Sequence, residues 1–203
     1  MPRRLYLVRH AQHAGQGRIA GPESPLTALG RRQARALARR LRGLDVCAVY
    51  SSPYRRALET ARLLADALGT DVSVDERLRE WEADAWTGLS AEELDALPDG
   101  RRPALDPHFA PPGGESAAEV QRRAQEMLDA VRRRHRDGNV LLVSHSGVLS
   151  LMVFTLLGQP MEAWGRVAFV LDHASLTVVE EGGFLPHPVV LCYNDTCHLR
   201  GLS

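Results

Sequence analysis

Three short apolar segments of the chain each lead into residues that can bind or attack a phosphate group. The first ends in Arg9 and His10, the second is followed within one helical turn by Arg55 and Arg56, and the third ends at His145. Arginine presents a planar fork of donors to phosphate oxygens, and an imidazole can attack phosphorus covalently. A single histidine or arginine after a strand is usually an ordinary surface residue, but here the pattern occurs three times. The sequence therefore predicts an anion or phosphate site.

The segments that precede these residues have the composition of strands buried on both faces. Apolar runs without alternation are typical of a parallel sheet covered by helices. The runs are Leu5–Val8, Val46–Tyr50 and Val140–Val143. In open α/β sheets, ligands bind at the carboxyl ends of the strands, which is where the polar residues fall. We therefore expect an α/β fold with the site at that edge.

Helical patterns separate the strands. Ser52 as N-cap and Pro53 at the first helical position predict that the second helix begins there. Capping boxes are predicted at Ser90–Glu93 and Ser116–Glu119. Further strands are predicted at Val72–Val74, Val167–Leu171, Leu176–Val179 and Val189–Tyr193.

Composition limits the possible partners and chemistry. The 25 basic and 25 acidic residues cancel, so neither nucleic acid nor an anionic membrane is expected as a partner. All 25 basic residues are arginine, which excludes a lysine Schiff base. Three cysteines are too few for a disulfide framework, and we expect a cytoplasmic protein. No His or Cys pair has zinc-ligand spacing, so no metal is expected.

A series of motifs along the chain adds a more specific prediction. The motifs are Arg9-His10-Ala11, Pro25-Leu26-Thr27 with Gly30, Ser51–Ala61, Leu78-Arg79-Glu80 with Trp86 and Gly88, Pro112–Ser116, Val143–Gly147 and Asn194–Leu199. In type and order they resemble the histidine phosphatase superfamily, also called the phosphoglycerate mutase-like family. The resemblance implies a three-layer α/β/α sandwich with a mostly parallel central sheet. It also implies one domain over residues 1–203, with a loop and helix excursion over the active site at about residues 78–115.

The resemblance assigns roles around the phosphate. His10 resembles the nucleophile that forms a phosphohistidine, and Arg9, Arg56 and His145 resemble the phosphate pocket around it. Arg56 is preferred to Arg55 because the pocket arginine of the family directly precedes the alanine of an Arg-Ala-x-x-Thr stretch. No cofactor is needed, since arginines neutralise the charge.

An acid is needed to protonate the leaving oxygen at neutral pH. Glu80 resembles that acid in the family, and Glu82 is a rival two residues further on. We expect burial beside Trp81 or Trp86 to favour the protonated carboxyl group.

The chain departs from the family pattern after the nucleophile. Ala11 replaces a usual glycine, and residues 12–16 do not reproduce the usual sequence. The candidate substrate rim is Gln12, His13, Gln16, His108 and His173. A surface role is an equal alternative for the three histidines of this rim.

The function predicted is a metal-independent phosphomonoesterase that acts on a small phosphorylated metabolite through a phosphohistidine intermediate. Alternatives are phosphoglycerate mutase-type transfer, a protein-phosphohistidine phosphatase and a phosphate-binding module without turnover. Mutases that resemble this family carry longer insertions around the site. A homodimer through an edge strand is a further implication of the resemblance.

Overall fold

A six-stranded mixed sheet forms the centre of the computed structural model, which describes residues 2–15, 17–81, 84–96, 106–167 and 169–202. The strands are β1 (Arg3–Arg9), β2 (Val46–Ser51), β3 (Val72–Val74), β4 (Asn139–Ser144), β5 (Leu176–Glu181) and β6 (Val189–Asp195). Their order is β3-β2-β4-β1-β5-β6. Strands β1 to β4 are parallel, whereas β5 is antiparallel to both of its neighbours. The sheet is therefore mostly parallel, as expected.

Helices cover both faces of this sheet. They are α1 (Ala28–Leu41), α2 (Arg55–Leu68), α3 (Ala91–Asp95), α4 (Ala117–Arg134) and α5 (Ser146–Leu156). Leu5 and Leu7 of β1 lie in one core with α4 and α5, while Tyr6 and Val8 lie in the other with α1 and α2. Because successive strand residues point to opposite faces, the unbroken apolar run supplies both cores. The predicted three-layer α/β/α class is confirmed.

The N-termini of α3 and α4 have the capping interactions that the sequence predicts. Both predicted capping boxes form, with reciprocal bonds between Ser90 and Glu93 and between Ser116 and Glu119.

None of the helices in the described ranges has the length and apolarity that a membrane span requires.

The predicted start of α2 at Ser52 and Pro53 is wrong. The helix begins at Arg55, and its N-cap is Tyr54. The backbone of Ser52 instead extends the pairing of β2 with β4, since its N–H donates to the carbonyl of Val143 at 3.0 Å. Its hydroxyl is used in the site described below.

The predicted strand at Val167–Leu171 does not form in the described part of that segment. Val167 makes only an isolated bridge to Trp164. The carbonyls that a ladder would use accept side-chain donors: Phe169 from Ser150 and Val170 from Tyr193. The carbonyl of Leu171 accepts from a guanidinium, so the segment serves the site instead of extending the sheet.

Candidate active site

The carboxyl ends of β1 and β4 bring two histidines together. The register pairs Arg9 with Ser144, so His10 and His145 each follow a paired strand end. The N–H of His10 donates to the carbonyl of Ser144 at 2.9 Å. The two imidazole rings are buried, and their centroids are 4.9 Å apart. The ends of β1 and β4 therefore lie side by side, as the sequence predicts.

The ring of His10 has a defined tautomer. Its Nδ1 lies 2.8 Å from the carbonyl oxygen of Ala11, which can only accept, so Nδ1 carries the proton. Burial lowers the pKa of His10 well below its usual value, and the charges of His145 and Arg56 add to this effect. The ring is therefore neutral near pH 7, and Nε2 carries a lone pair.

Arg56 faces this lone pair. Its Nε donates to Nε2 of His10 at 3.2 Å, and its Nη1 donates to the carbonyl of Gly21 at 2.9 Å. Its guanidinium carbon also lies 5.1 Å from the centre of the Tyr54 ring. Arg55 points elsewhere: its side chain is half exposed and pairs with Glu59 at 2.9 Å. Of the two adjacent arginines, only Arg56 contacts His10 in the described bonds.

Ser52 holds the imidazole of His145, the second histidine, in place. Its hydroxyl lies 2.8 Å from Nε2 of His145, and the Tyr54 ring packs edge-on at 5.2 Å between centroids. Nδ1 of His145 is buried and has no hydrogen-bond partner among the described residues. Burial lowers the pKa of His145 well below its usual value. Ser52 and Tyr54 were not among the predicted site residues, although both lie within the Ser51–Ala61 motif.

Arg9 connects the end of β1 to the loop before β5. Its guanidinium donates to the carbonyl of Leu171 and, at 3.3 Å, to Nε2 of His173. Burial lowers the pKa of His173 to about 4, and the charge of Arg9 contributes. Ala174 adopts a left-handed φ of 56°, and its N–H donates to the carbonyl of His10 at 3.1 Å. These bonds hold His173 beside the pocket.

His13 completes a cluster with His10 and His173. Its Nδ1 lies 2.7 Å from the carbonyl of Ala14, and burial lowers its pKa. Its ring centroid is 5.3 Å from that of His10 and 5.6 Å from that of His173. His13 thus has the same Nδ1-protonated tautomer as His10 and leaves Nε2 as an acceptor.

Three histidine nitrogens of this cluster lie within 4.8 Å of one another, close enough to share a metal ion. However, Arg56 and Arg9 donate to Nε2 of His10 and of His173, respectively. Two guanidiniums at these lone pairs repel a cation and compete for the ligand atoms. The electrostatics therefore fit an anion better than a metal.

Glu80 reaches the same pocket from the chain that follows β3. Its Oε1 accepts the N–H of Trp81 at 2.9 Å, and its carbonyl accepts from Arg123 at 3.1 Å. Burial raises the pKa of the Glu80 carboxyl above its usual value. The nearby positive charges of Arg56 and Arg9 oppose that rise without cancelling it. Its rival Glu82 lies outside the described residues.

The remaining rim residues are not placed alike. Gln12 is tied to the start of α1, where its Oε1 accepts from Thr27 at 2.7 Å. Gly30 lets the backbone of Gln12 lie this close to α1, since a Cβ on residue 30 would lie 2.0 Å from the Gln12 carbonyl oxygen. His108 is exposed, and none of its described contacts reaches the histidine cluster. Gln16 lies outside the described residues.

Part of the expected excursion contacts the loop after His10. The backbones of Ile19 and residues 88–89 exchange two hydrogen bonds, at 2.8 and 2.9 Å. Arg18 also pairs with Glu93 of α3 at 2.9 Å. The loop that follows His10 and the start of the excursion are therefore in contact.

Buried imidazoles in contact with two guanidiniums, at the carboxyl edge of an α/β sandwich, form a site whose chemistry suits a phosphoryl group. The chain belongs to the histidine phosphatase superfamily (branch 1), whose model matches residues 5–196.

Individual relatives show the range of activities around this chain. Phosphoserine phosphatase 1 of Hydrogenobacter thermophilus is 36% identical over 204 residues, covering 97% of this chain and 94% of the relative. A protein of Enterobacter sp. named "Probable phosphoglycerate mutase GpmB" is 37% identical over 171 residues, covering 80% and 79%. A solved mycobacterial glucosyl-3-phosphoglycerate phosphatase, in complex with VO3, superposes with a TM-score of 0.86. It is 30% identical and covers 95% of this chain and 99% of that one. The phosphatase names confirm the predicted class, phosphomonoesterases of small metabolites.

Proposed function

We propose that the chain is a metal-independent phosphomonoesterase that works through a phosphohistidine at His10. The observation that carries this proposal is the state of the His10 ring. The ring is buried and neutral, its Nδ1 proton is held by Ala11, and its Nε2 lone pair lies 3.2 Å from the Nε of Arg56. A neutral imidazole whose Nε2 carries a lone pair instead of a proton is the form that attacks phosphorus.

The phosphate pocket consists of Arg9, Arg56 and His145. The two guanidiniums supply charge and donors for the phosphate oxygens. Nε2 of His145 is already bonded to Ser52, so the buried Nδ1 is left to contact the phosphate. This leaves the His10 lone pair on one side of the phosphorus and the ester oxygen on the other.

The reaction has two steps. In the first, Nε2 of His10 forms a bond to phosphorus as the ester P–O bond breaks, and the Glu80 carboxyl gives its proton to the departing oxygen. In the second, water attacks phosphorus and the N–P bond breaks, while the Glu80 carboxylate takes a proton from the water. Free phosphate leaves, and both side chains return to their starting states.

The substrate class is small phosphorylated metabolites. The relatives named above act on phosphoserine and glucosyl-3-phosphoglycerate. We assign the choice among such esters to His13, His173 and the contact between Ile19 and the excursion. Both histidines are neutral near pH 7, so they offer hydrogen bonds without charge to the alcohol part of the substrate.

The three cysteines bear on the cellular compartment of the protein. Cys47, Cys192 and Cys197 are all free, which favours a reducing compartment, and we propose the cytoplasm.

We also propose a single domain, whose excursion at about residues 78–115 borders the site, and a homodimer.

Phosphate release from a panel of substrates tests the function. The panel contains phosphoserine, glucosyl-3-phosphoglycerate, 3-phosphoglycerate and a phosphohistidine peptide, each with a His10→Ala blank. We expect free phosphate from at least one metabolite. An isomer of phosphoglycerate without free phosphate identifies a mutase, and release from the peptide alone identifies a protein phosphatase. Phosphate binding without any turnover supports the binding-module alternative.

The adjacent arginines provide a matched pair of variants. Arg56→Ala is expected to lower kcat/KM about 10²–10³-fold, the scale for loss of one preorganised donor to a transition-state charge. Arg55→Ala removes only a surface ion pair with Glu59, so kcat/KM should stay near that of the parent. Steady-state kinetics on one substrate compare the two. Equal losses would contradict the assignment of Arg56.

A further inference from the structure

Gly147 lies where the Glu80 carboxyl group meets the first turn of α5. It is the second residue of that helix, directly after Ser146. A Cβ built on Gly147 would stand 2.9 Å from Oε1 of Glu80, and 3.5 and 3.6 Å from Cε3 and Cβ of Trp81. The closest of these distances is shorter than side-chain carbons adopt. The carboxyl group therefore occupies space that any other residue at position 147 would fill.

The carboxyl group cannot move away from α5 without losing contacts. The same Oε1 accepts the N–H of Trp81 at 2.9 Å. Arg123 holds the backbone on the other side, since it donates to the carbonyls of Arg79 and Glu80 at 2.8 and 3.1 Å. The Trp81 indole in turn donates to the carbonyl of Glu115 at 2.5 Å. With the backbone held, only a rotation of the Glu80 side chain can relieve the contact.

We propose that Gly147 is a positioning residue for the acid: its missing side chain lets the Glu80 carboxyl group lie against α5 and face the leaving oxygen. This inference rests on the proposed function, in which Glu80 protonates that oxygen. A side chain at position 147 turns the carboxyl group away and weakens proton transfer, while the His10 nucleophile and the phosphate pocket keep their contacts.

The test is Gly147→Ala, measured in the first turnover with two kinds of leaving group. An alkyl phosphomonoester needs a proton as it leaves, whereas p-nitrophenyl phosphate releases a weakly basic phenolate. We expect the first-turnover rate on the alkyl ester to fall on the order of 10²-fold, the effect of a misplaced catalytic group. The rate on p-nitrophenyl phosphate should change little. The melting temperature should stay close to that of the parent, since the helix preference of alanine over glycine offsets the loss of the Trp81 hydrogen bond.

Two controls separate positioning from general damage. Ser146→Ala changes the same helical turn without adding a Cβ, so both rates should be retained. Glu80→Asp withdraws the carboxyl group by one methylene. It should therefore cost less in the Gly147→Ala background than in the parent, a non-additive result. Equal losses on both substrates, or additive effects of the two changes, would overturn the inference.

Glu80→Gln separates a failure of the positioning role of Gly147 from a failure of the acid role of Glu80. If it lowers the alkyl rate selectively and Gly147→Ala does not, the acid assignment stands and the role of Gly147 is overturned. If Glu80→Gln shows no dependence on the leaving group, both the acid and its positioning residue are overturned, while the nucleophile is judged separately by trapping a phosphohistidine.

Discussion

Replacement of His10 by alanine is expected to stop turnover of every phosphomonoester while phosphate binding remains measurable. The change removes the Nε2 lone pair to which we assign the covalent bond but leaves Arg9, Arg56 and His145 in place. The expected loss is on the order of 10⁶-fold in kcat, the scale at which an enzyme that works through a covalent intermediate loses its nucleophile. Calorimetry with inorganic phosphate should still detect a complex, since the two guanidiniums remain.

The phosphoenzyme gives the direct readout. A parent sample quenched during turnover of a ³²P-labelled substrate should carry label that is stable to alkali and lost in acid, and His10→Ala should carry none. His108→Ala is the matched control, because that histidine is exposed and outside the cluster. A labelled His10→Ala protein would move the nucleophile elsewhere, with His13 as the first alternative because it has the same tautomer.

The residues that we propose for the phosphate pocket could be predicted because each follows a short local pattern. Arg9, His10 and His145 lie at the ends of apolar runs, and parallel pairing brings such ends to one edge. The preference for Arg56 over Arg55 came from the resemblance, and the structure turns these neighbours in different directions. Strand ends therefore locate the site, but which of two adjacent side chains enters it depends on where the helix begins.

Residues that act across long separations could not be found this way. Ser52 has the local pattern of an N-cap, yet its hydroxyl contacts a histidine 93 positions away. His13 and His173 meet although no period or motif joins them. The segment 167–171 has the composition of a strand, but tertiary donors take its carbonyls. For Ser52 and for residues 169–171, a tertiary partner overrides the local signal.

Glu80→Gln is expected to lower kcat on alkyl phosphomonoesters about 10²–10⁴-fold, the usual contribution of a general acid. Glutamine keeps the size of the side chain and can accept the Trp81 N–H, so the fold and the melting temperature should be preserved. On p-nitrophenyl phosphate the variant should give a burst of one phenolate per active site followed by slow turnover. The burst follows because the leaving group needs no proton, while the second step has lost the base that activates water.

The pH profile of the same variant tests the protonation state. The parent needs protonated Glu80 in the first step, so its first-turnover rate on an alkyl ester should fall as pH rises through that pKa. Burial raises the pKa of Glu80, and a bound phosphate dianion raises it further, which moves this fall toward neutral pH. His10 must be neutral to attack, and its lowered pKa keeps the acid-side loss well below pH 6.5. Glu80→Gln should abolish the alkaline fall and keep the acid limb. An unchanged alkaline limb would assign the acid to another group, with Glu82 as the first to replace.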